Sequence, residues 1–129
     1  MTTIKIIIAS IGTFFAYILG GFDIALQCLL IAIALDYITG LMKSYDSGTL
    51  NSNKGFKGLL KKIAMLCLVV LSVQLDNLAG ETGVIRTLVI YYLVANEGLS
   101  IVENLGQMGI LVPEILLKKL EQIKNGGND

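Results

Sequence analysis

The sequence predicts an all-α integral membrane protein with about four transmembrane helices, arranged as two hairpins, and a short C-terminal amphipathic helix. Three observations lead there. Of 129 residues, 54% are hydrophobic and only 16% charged, and the mean hydropathy is +0.74, outside the range of soluble globular chains. A chain of this length buries about two thirds of its surface on folding, so in water long runs of Ile, Leu and Val would stay exposed. The apolar residues also gather into four segments near the length of about 17 to 25 residues that a helix needs to cross hydrocarbon.

The first segment, residues 4–21, begins at Ile4 without a small-residue cleavage site and reads as a retained span rather than a signal peptide. Gly20-Gly21-Phe22-Asp23 forms a tight turn into the second, residues 24–42. Residues 43–62 are polar, with Ser, Asn and Gly punctuation, and read as a solvent loop before the third span, residues 63–79. Gly80-Glu81-Thr82-Gly83 is a second tight turn, leading to the fourth span, residues 84–102. Residues 1–105 thus form the membrane domain and 106–129 a tail. In the tail, Gly106 to Gly109 breaks the helical pattern and Pro113 suits the first turn of a new helix. Over residues 113–124, Leu116, Leu120 and Ile123 share one face and Lys118, Glu121 and Gln122 the other. Such a helix suits the inner membrane surface or a neighbouring copy. Residues 125–129 are expected to lack structure.

Basic residues set the orientation, because short loops rich in Lys and Arg stay in the cytoplasm. Lys43, Lys54, Lys57, Lys61 and Lys62 put the central loop inside, and four spans then bring both termini inside with Lys5, Lys118, Lys119 and Lys124. Only Arg86 is left near the outer face, so nine of the ten basic residues obey one topology. A first segment lying on the surface, or a fourth that did not insert, would give three spans and put one terminus outside.

Small residues recur at four-residue spacing, at Gly12, Ala16 and Gly20 and again at Cys28, Ala32 and, with Asp36 between, Gly40. In lipid such stripes let backbones approach closely, either within one monomer or between copies. Ionisable groups inside spans are the sharper signal, since each costs at least about 2.5 kcal/mol near the bilayer centre. Asp36, Asp76, Arg86 and Glu97 qualify. Asp76 and Arg86 flank the second turn at similar depth and are expected to pair, while Asp36 and Glu97 lie within reach of Lys61 or Lys62. Asn96, Ser100, Glu103 and Gln107 form a polar stripe that must face protein or water. All these are candidate pore or interface residues.

With no His and two cysteines, each isolated in an apolar run, no catalytic constellation, metal site or cofactor-binding motif is expected. Zero net charge gives no field for nucleic acid. A small four-span transporter or ion channel and a non-conducting scaffold are the rival readings. Small multidrug exporters carry an acid in their first span, and here none lies between Lys5 and Asp23.

The residues that single out a family are Leu35-Asp36-Tyr37-Ile38-Thr39-Gly40, the run Ser52 to Gly58 leading to Lys61-Lys62, and Asp76 with Arg86. To these add Asn96-Glu97-Gly98-Leu99-Ser100-Ile101-Val102-Glu103-Asn104, followed by Gly109, Pro113 and Leu116. From about Ala34 to Leu120 the chain resembles the toxin-secretion and phage-lysis holins of Gram-positive phages and clostridial toxin loci. That resemblance implies a homo-oligomer in the bacterial cytoplasmic membrane, which accumulates harmlessly and then forms holes abruptly. Through them an endolysin or toxin would leave without having to touch the protein, and cytolysis would follow. It assigns no residue to the hole.

Overall fold

A computed structural model describes residues 1–126. Its five helices are α1 (Thr2–Ile18), α2 (Ile24–Asp46), α3 (Ser52–Ala79), α4 (Val84–Gln107) and α5 (Glu114–Lys124), and the described residues contain no strand. Of the expected unstructured tail, Asn125 and Gly126 form the turn that ends α5, and 127–129 lie outside the described residues.

Local chemistry fixes the helix ends. Asp23 caps α2 by accepting from the Leu26 N–H at 3.0 Å, and Asn51 caps α3 by accepting from the Lys54 N–H at 2.8 Å. Gly80, at φ 72°, closes α3 in the left-handed conformation that glycine adopts without penalty, and the Glu81 N–H then reaches the Asp76 carbonyl at 2.9 Å. Pro113 stands just before α5, one position earlier than the sequence suggests.

The central loop is where sequence and structure part. α2 continues to Asp46 and α3 begins at Ser52, so residues 43–62 are mainly helix and only 47–51 connect. Polar residues do not break a helix when a capped start is available, and Asn51 supplies one. At about 1.5 Å per residue, α3 with its 28 residues is about 42 Å long, well beyond the hydrocarbon thickness.

Helix α4 is the hub, packing on α2, α3 and α5, whereas α2 and α3 touch each other little. Leu26, Leu29, Val69, Ile90 and Leu93 form the apolar centre. Among the described residues, eight apolar side chains are buried against seven polar or charged ones. Ile31, Leu35, Leu68, Leu71 and Leu88 meanwhile face outward. An interior about half polar inside an apolar exterior is the arrangement lipid favours and water does not. Three helices, α2, α3 and α4, are long and apolar enough to cross a membrane. Helix α1, with 17 residues, is apolar but shorter, and none of its residues is buried.

Helix α5 turns back along α4 instead of lying apart. Leu120 packs where Gly98 leaves no side chain, and the Lys124 ammonium stands 5.9 Å from the centre of the Tyr92 ring. The two helices therefore run antiparallel.

Candidate functional site: two buried polar clusters

The first cluster sits where the two glycine-containing turns meet. Arg86, in the first turn of α4, is buried, and its guanidinium is held by four hydrogen bonds to the turn between α1 and α2. Nη1 and Nη2 donate to the two Asp23 carboxylate oxygens at 2.8 and 3.1 Å, Nε donates to the Leu19 carbonyl at 2.6 Å, and Nη2 also donates to the Gly21 carbonyl at 3.0 Å. The hydrogen bond from Arg86 holds the Asp23 carboxyl below its ordinary range, against the opposing effect of partial burial.

Asp76 and Arg86 do share a depth, but their side chains do not pair. The Asp76 carboxylate accepts from the backbone N–H groups of Ile85 and Arg86, each at 2.8 Å. Gly83 stands at the N-cap of α4 and has no side chain to satisfy those donors, so the end of α3 caps the start of α4. With Asp76 occupied, the arginine fork takes the Asp23 carboxylate, which among the described residues accepts only the Leu26 N–H besides. The expected hairpin salt bridge is thus replaced by two separate interactions.

The second cluster lies inside the three-helix bundle. Lys62 of α3 donates to both Asp36 of α2 and Glu97 of α4. Each of the three is ten residues from its helix end on the α2–α3 connection side, which explains why they meet. Asn104 extends the cluster by donating to Asp36 Oδ1 at 3.1 Å and to the Thr39 hydroxyl at 2.9 Å. Two carboxylates face one ammonium, held by charge-assisted hydrogen bonds in a place that water scarcely reaches. Among the described residues no buried side-chain polar atom lacks a partner. Nor do three His, Cys, Asp or Glu side chains gather in a metal-binding group there. The arrangement ties three helices together; it offers no nucleophile with a base.

Other sequence candidates are scattered. Asn96 and Ser100 line a cavity beside Lys61 and Lys62. Glu103 is exposed and accepts only from Gln107, at 3.4 Å. The stripe through Asn96, Ser100, Glu103 and Gln107 borders the buried face of α4, which runs Arg86, Ile90, Leu93, Glu97 and Asn104. Spacings of four, three, four and seven from Arg86 carried that signal, and the Glu97–Asn104 interval of two helical turns is part of it. Of the small residues, Ala32 is buried and Gly40 faces Asn104, so this part of the α2 stripe is used within the monomer, while Cys28 is exposed. Gly20 is not in α1 at all; it sits in the turn at φ 87°, against Arg86. Gly12 has open space around it. Asp23, Thr39 and Asn104 were missed as site residues, although an Asp directly before an apolar run is a readable cap.

The family profile described as the bacteriophage holin family matches residues 13–125. An uncharacterized protein of Clostridium perfringens is 43% identical over 119 residues, covering 92% of this chain and 90% of the relative. An uncharacterized protein of Listeria monocytogenes is 42% identical over 113 residues, covering 88% and 81%. A protein named probable holin, from Bacillus phage phi105, is 30% identical over 100 residues, covering 78% and 74%. No solved structure matches. The matched span takes in both polar clusters and all three membrane-length helices, and the chain belongs to the bacteriophage holin family.

Proposed function

We propose that this protein is a holin: copies accumulate in a bacterial cytoplasmic membrane and assemble into lesions that release an endolysin or toxin. Family membership and the phage relative named probable holin support the class. The observation that carries the assembly step is the position of α5. Its charged residues Lys118, Lys119 and Glu121 are exposed on a helix laid along the membrane-length α4. Turned toward acyl chains, each charge would cost at least about 2.5 kcal/mol; turned toward a water-filled space enclosed by several copies, it costs little. Assembly resolves the conflict that one copy leaves open. The Asp36–Lys62–Glu97 cluster then serves as the fastener of each subunit, and the unburied α1, with Gly12 and the half-buried Ala16, offers a close-packing surface between copies.

In this reading α1 crosses the membrane as a fourth span, and the N-terminus lies in the cytoplasm with the α2–α3 connection, while α5 returns from that side along α4. At 17 residues α1 is about 26 Å long, at the short end for a span, and it carries no charge after Lys5. Of the seven basic residues outside α5, six fall on the cytoplasmic side, which supports that orientation. Purified protein added to liposomes loaded with a small dye and a folded fluorescent protein tests the lesion. Release of both together above a threshold protein density is expected. Release of the dye alone would make the protein a channel, and release of neither a scaffold.

A further inference from the structure

At the end of the bundle where α2 and α3 connect, these two helices stand apart and leave a cavity of about 410 Å³ between them, with α4 as its third wall. That volume lies in the range of small-molecule sites, about 300 to 1,000 Å³. Lys43, Lys54, Lys61 and Lys62 all line it, against one acid, Asp36, which Lys62 already holds. Among the described residues, no carboxylate lies within ion-pairing distance of Lys43, Lys54 or Lys61. Three lysines without counter-ions therefore line one space, and such a surplus calls for an anion.

The depth of the cavity selects the kind of anion. The Asp76–Arg86 level sits at the far turn, so the excess length of α3 emerges at its start. About 42 Å of helix against about 30 Å of hydrocarbon leaves roughly eight residues, those from Ser52 onward, in the headgroup layer. Lys54 is on that stretch, and Phe56, Leu59 and Leu60 stand exposed beside it, an apolar flank for acyl chains. A cationic cavity at headgroup depth with an apolar flank fits a lipid better than a free ion.

We propose that this cavity binds the phosphodiester headgroup of an anionic phospholipid, with the Lys43, Lys54 and Lys61 ammonium groups donating to its non-bridging oxygens. The proposal rests on the membrane placement of α3 and is independent of lesion formation. Free phosphate shares the phosphate chemistry and not the acyl chains, so a test can tell the two sources apart.

The test is native mass spectrometry on the full-length protein in detergent, titrated with phosphatidylglycerol, phosphatidylcholine or inorganic phosphate. The wild type is expected to retain one phosphatidylglycerol per chain and no phosphatidylcholine. Joint Lys43→Gln, Lys54→Gln and Lys61→Gln substitution should weaken retention about a hundredfold, and Lys54→Gln alone about fivefold; the single variant serves if the triple one does not fold. Lys118→Gln with Lys119→Gln and Lys124→Gln removes the same charge elsewhere and should change retention less than twofold. Equal retention of the two lipids, equal loss in both triple variants, or displacement of phosphatidylglycerol by millimolar phosphate would overturn the proposal.

Discussion

The Arg86 guanidinium grips both carboxylate oxygens of Asp23, 63 positions earlier in the chain, at 2.8 and 3.1 Å. This pair ties the start of α4 to the α1–α2 turn, and because Arg86 is buried while the Asp23 side chain is 51% exposed, its two halves are unequal. Arg86→Gln is expected to destabilise the protein more than Asp23→Asn, because Arg86 also serves two carbonyls. A double-mutant cycle on unfolding in detergent should return a coupling of about 1 to 2 kcal/mol, below that of a fully buried charged pair since Asp23 meets water. Coupling near zero would remove the pair as a tie between the turns.

The same contact gives a pH dependence. The Asp23 carboxyl is lowered from its ordinary value of 3.8, chiefly by the hydrogen bond from Arg86. A depressed carboxyl contributes stability that is complete above the ordinary value and is lost as pH falls through the lower, folded one. The stability gap between wild type and Asp23→Asn should therefore narrow as pH falls from about 5 to about 2. Unfolding midpoints measured across that window check the sign, and a gap that widened on acidification would refute it.

Asp76 acts on the backbone of α4, so Asp76→Ala is expected to cost about 1 to 2 kcal/mol as the loss of a helix cap. Exchanging the charges, Asp76→Arg with Arg86→Asp, should rescue nothing. Recovery of folding or accumulation by the exchange would restore the direct salt bridge that the sequence suggests.

What the sequence made legible follows from one-dimensional signals. The all-helical fold and the glycine-containing turns could be read because hydropathy and turn chemistry are local, and the bounds of α2 and α4 fell within five residues of the expected ones. Asp36 and Glu97 could be matched to Lys61 or Lys62 because all lie near one depth, while the choice of Lys62 needed the structure. The partner of Arg86 could not, because two carboxylates, Asp23 and Asp76, stand near it, and which one the guanidinium takes depends on the N–H groups of Ile85 and Arg86 that occupy Asp76. The helical start of α3 was hidden because its polar residues look like loop until Asn51 is recognised as a cap. The return of α5 along α4 depends on the notch at Gly98, a packing detail without periodicity.

Lys62 is the cation that two buried carboxylates share, so Lys62→Met should be the most damaging single change in the bundle. Removing the partner of a buried charge costs about 3 to 5 kcal/mol, and here two charges are stranded. Glu97→Gln added to Lys62→Met should recover part of the loss. Protein accumulation in membranes and the thermal midpoint in detergent measure both. An additive outcome would mean that Glu97 does not depend on Lys62.

Gly12→Leu and Gly40→Leu separate contacts between copies from contacts within one. Gly12 meets open space, so its replacement should leave the monomer folded and reduce crosslinked multimers severalfold, whereas Gly40 faces Asn104 and its replacement should lower stability itself. Equal multimer yields in wild type and Gly12→Leu would take α1 out of the interface.

Lesion formation is tested most directly by inducing the protein in bacteria together with an endolysin that has no export signal of its own, while following membrane potential and culture turbidity. The expected course is growth without damage, then collapse of the potential within minutes at a reproducible time, with lysis that requires the endolysin. Gradual depolarisation without lysis, or a potential that stays intact while the protein accumulates in the membrane, would contradict the holin reading.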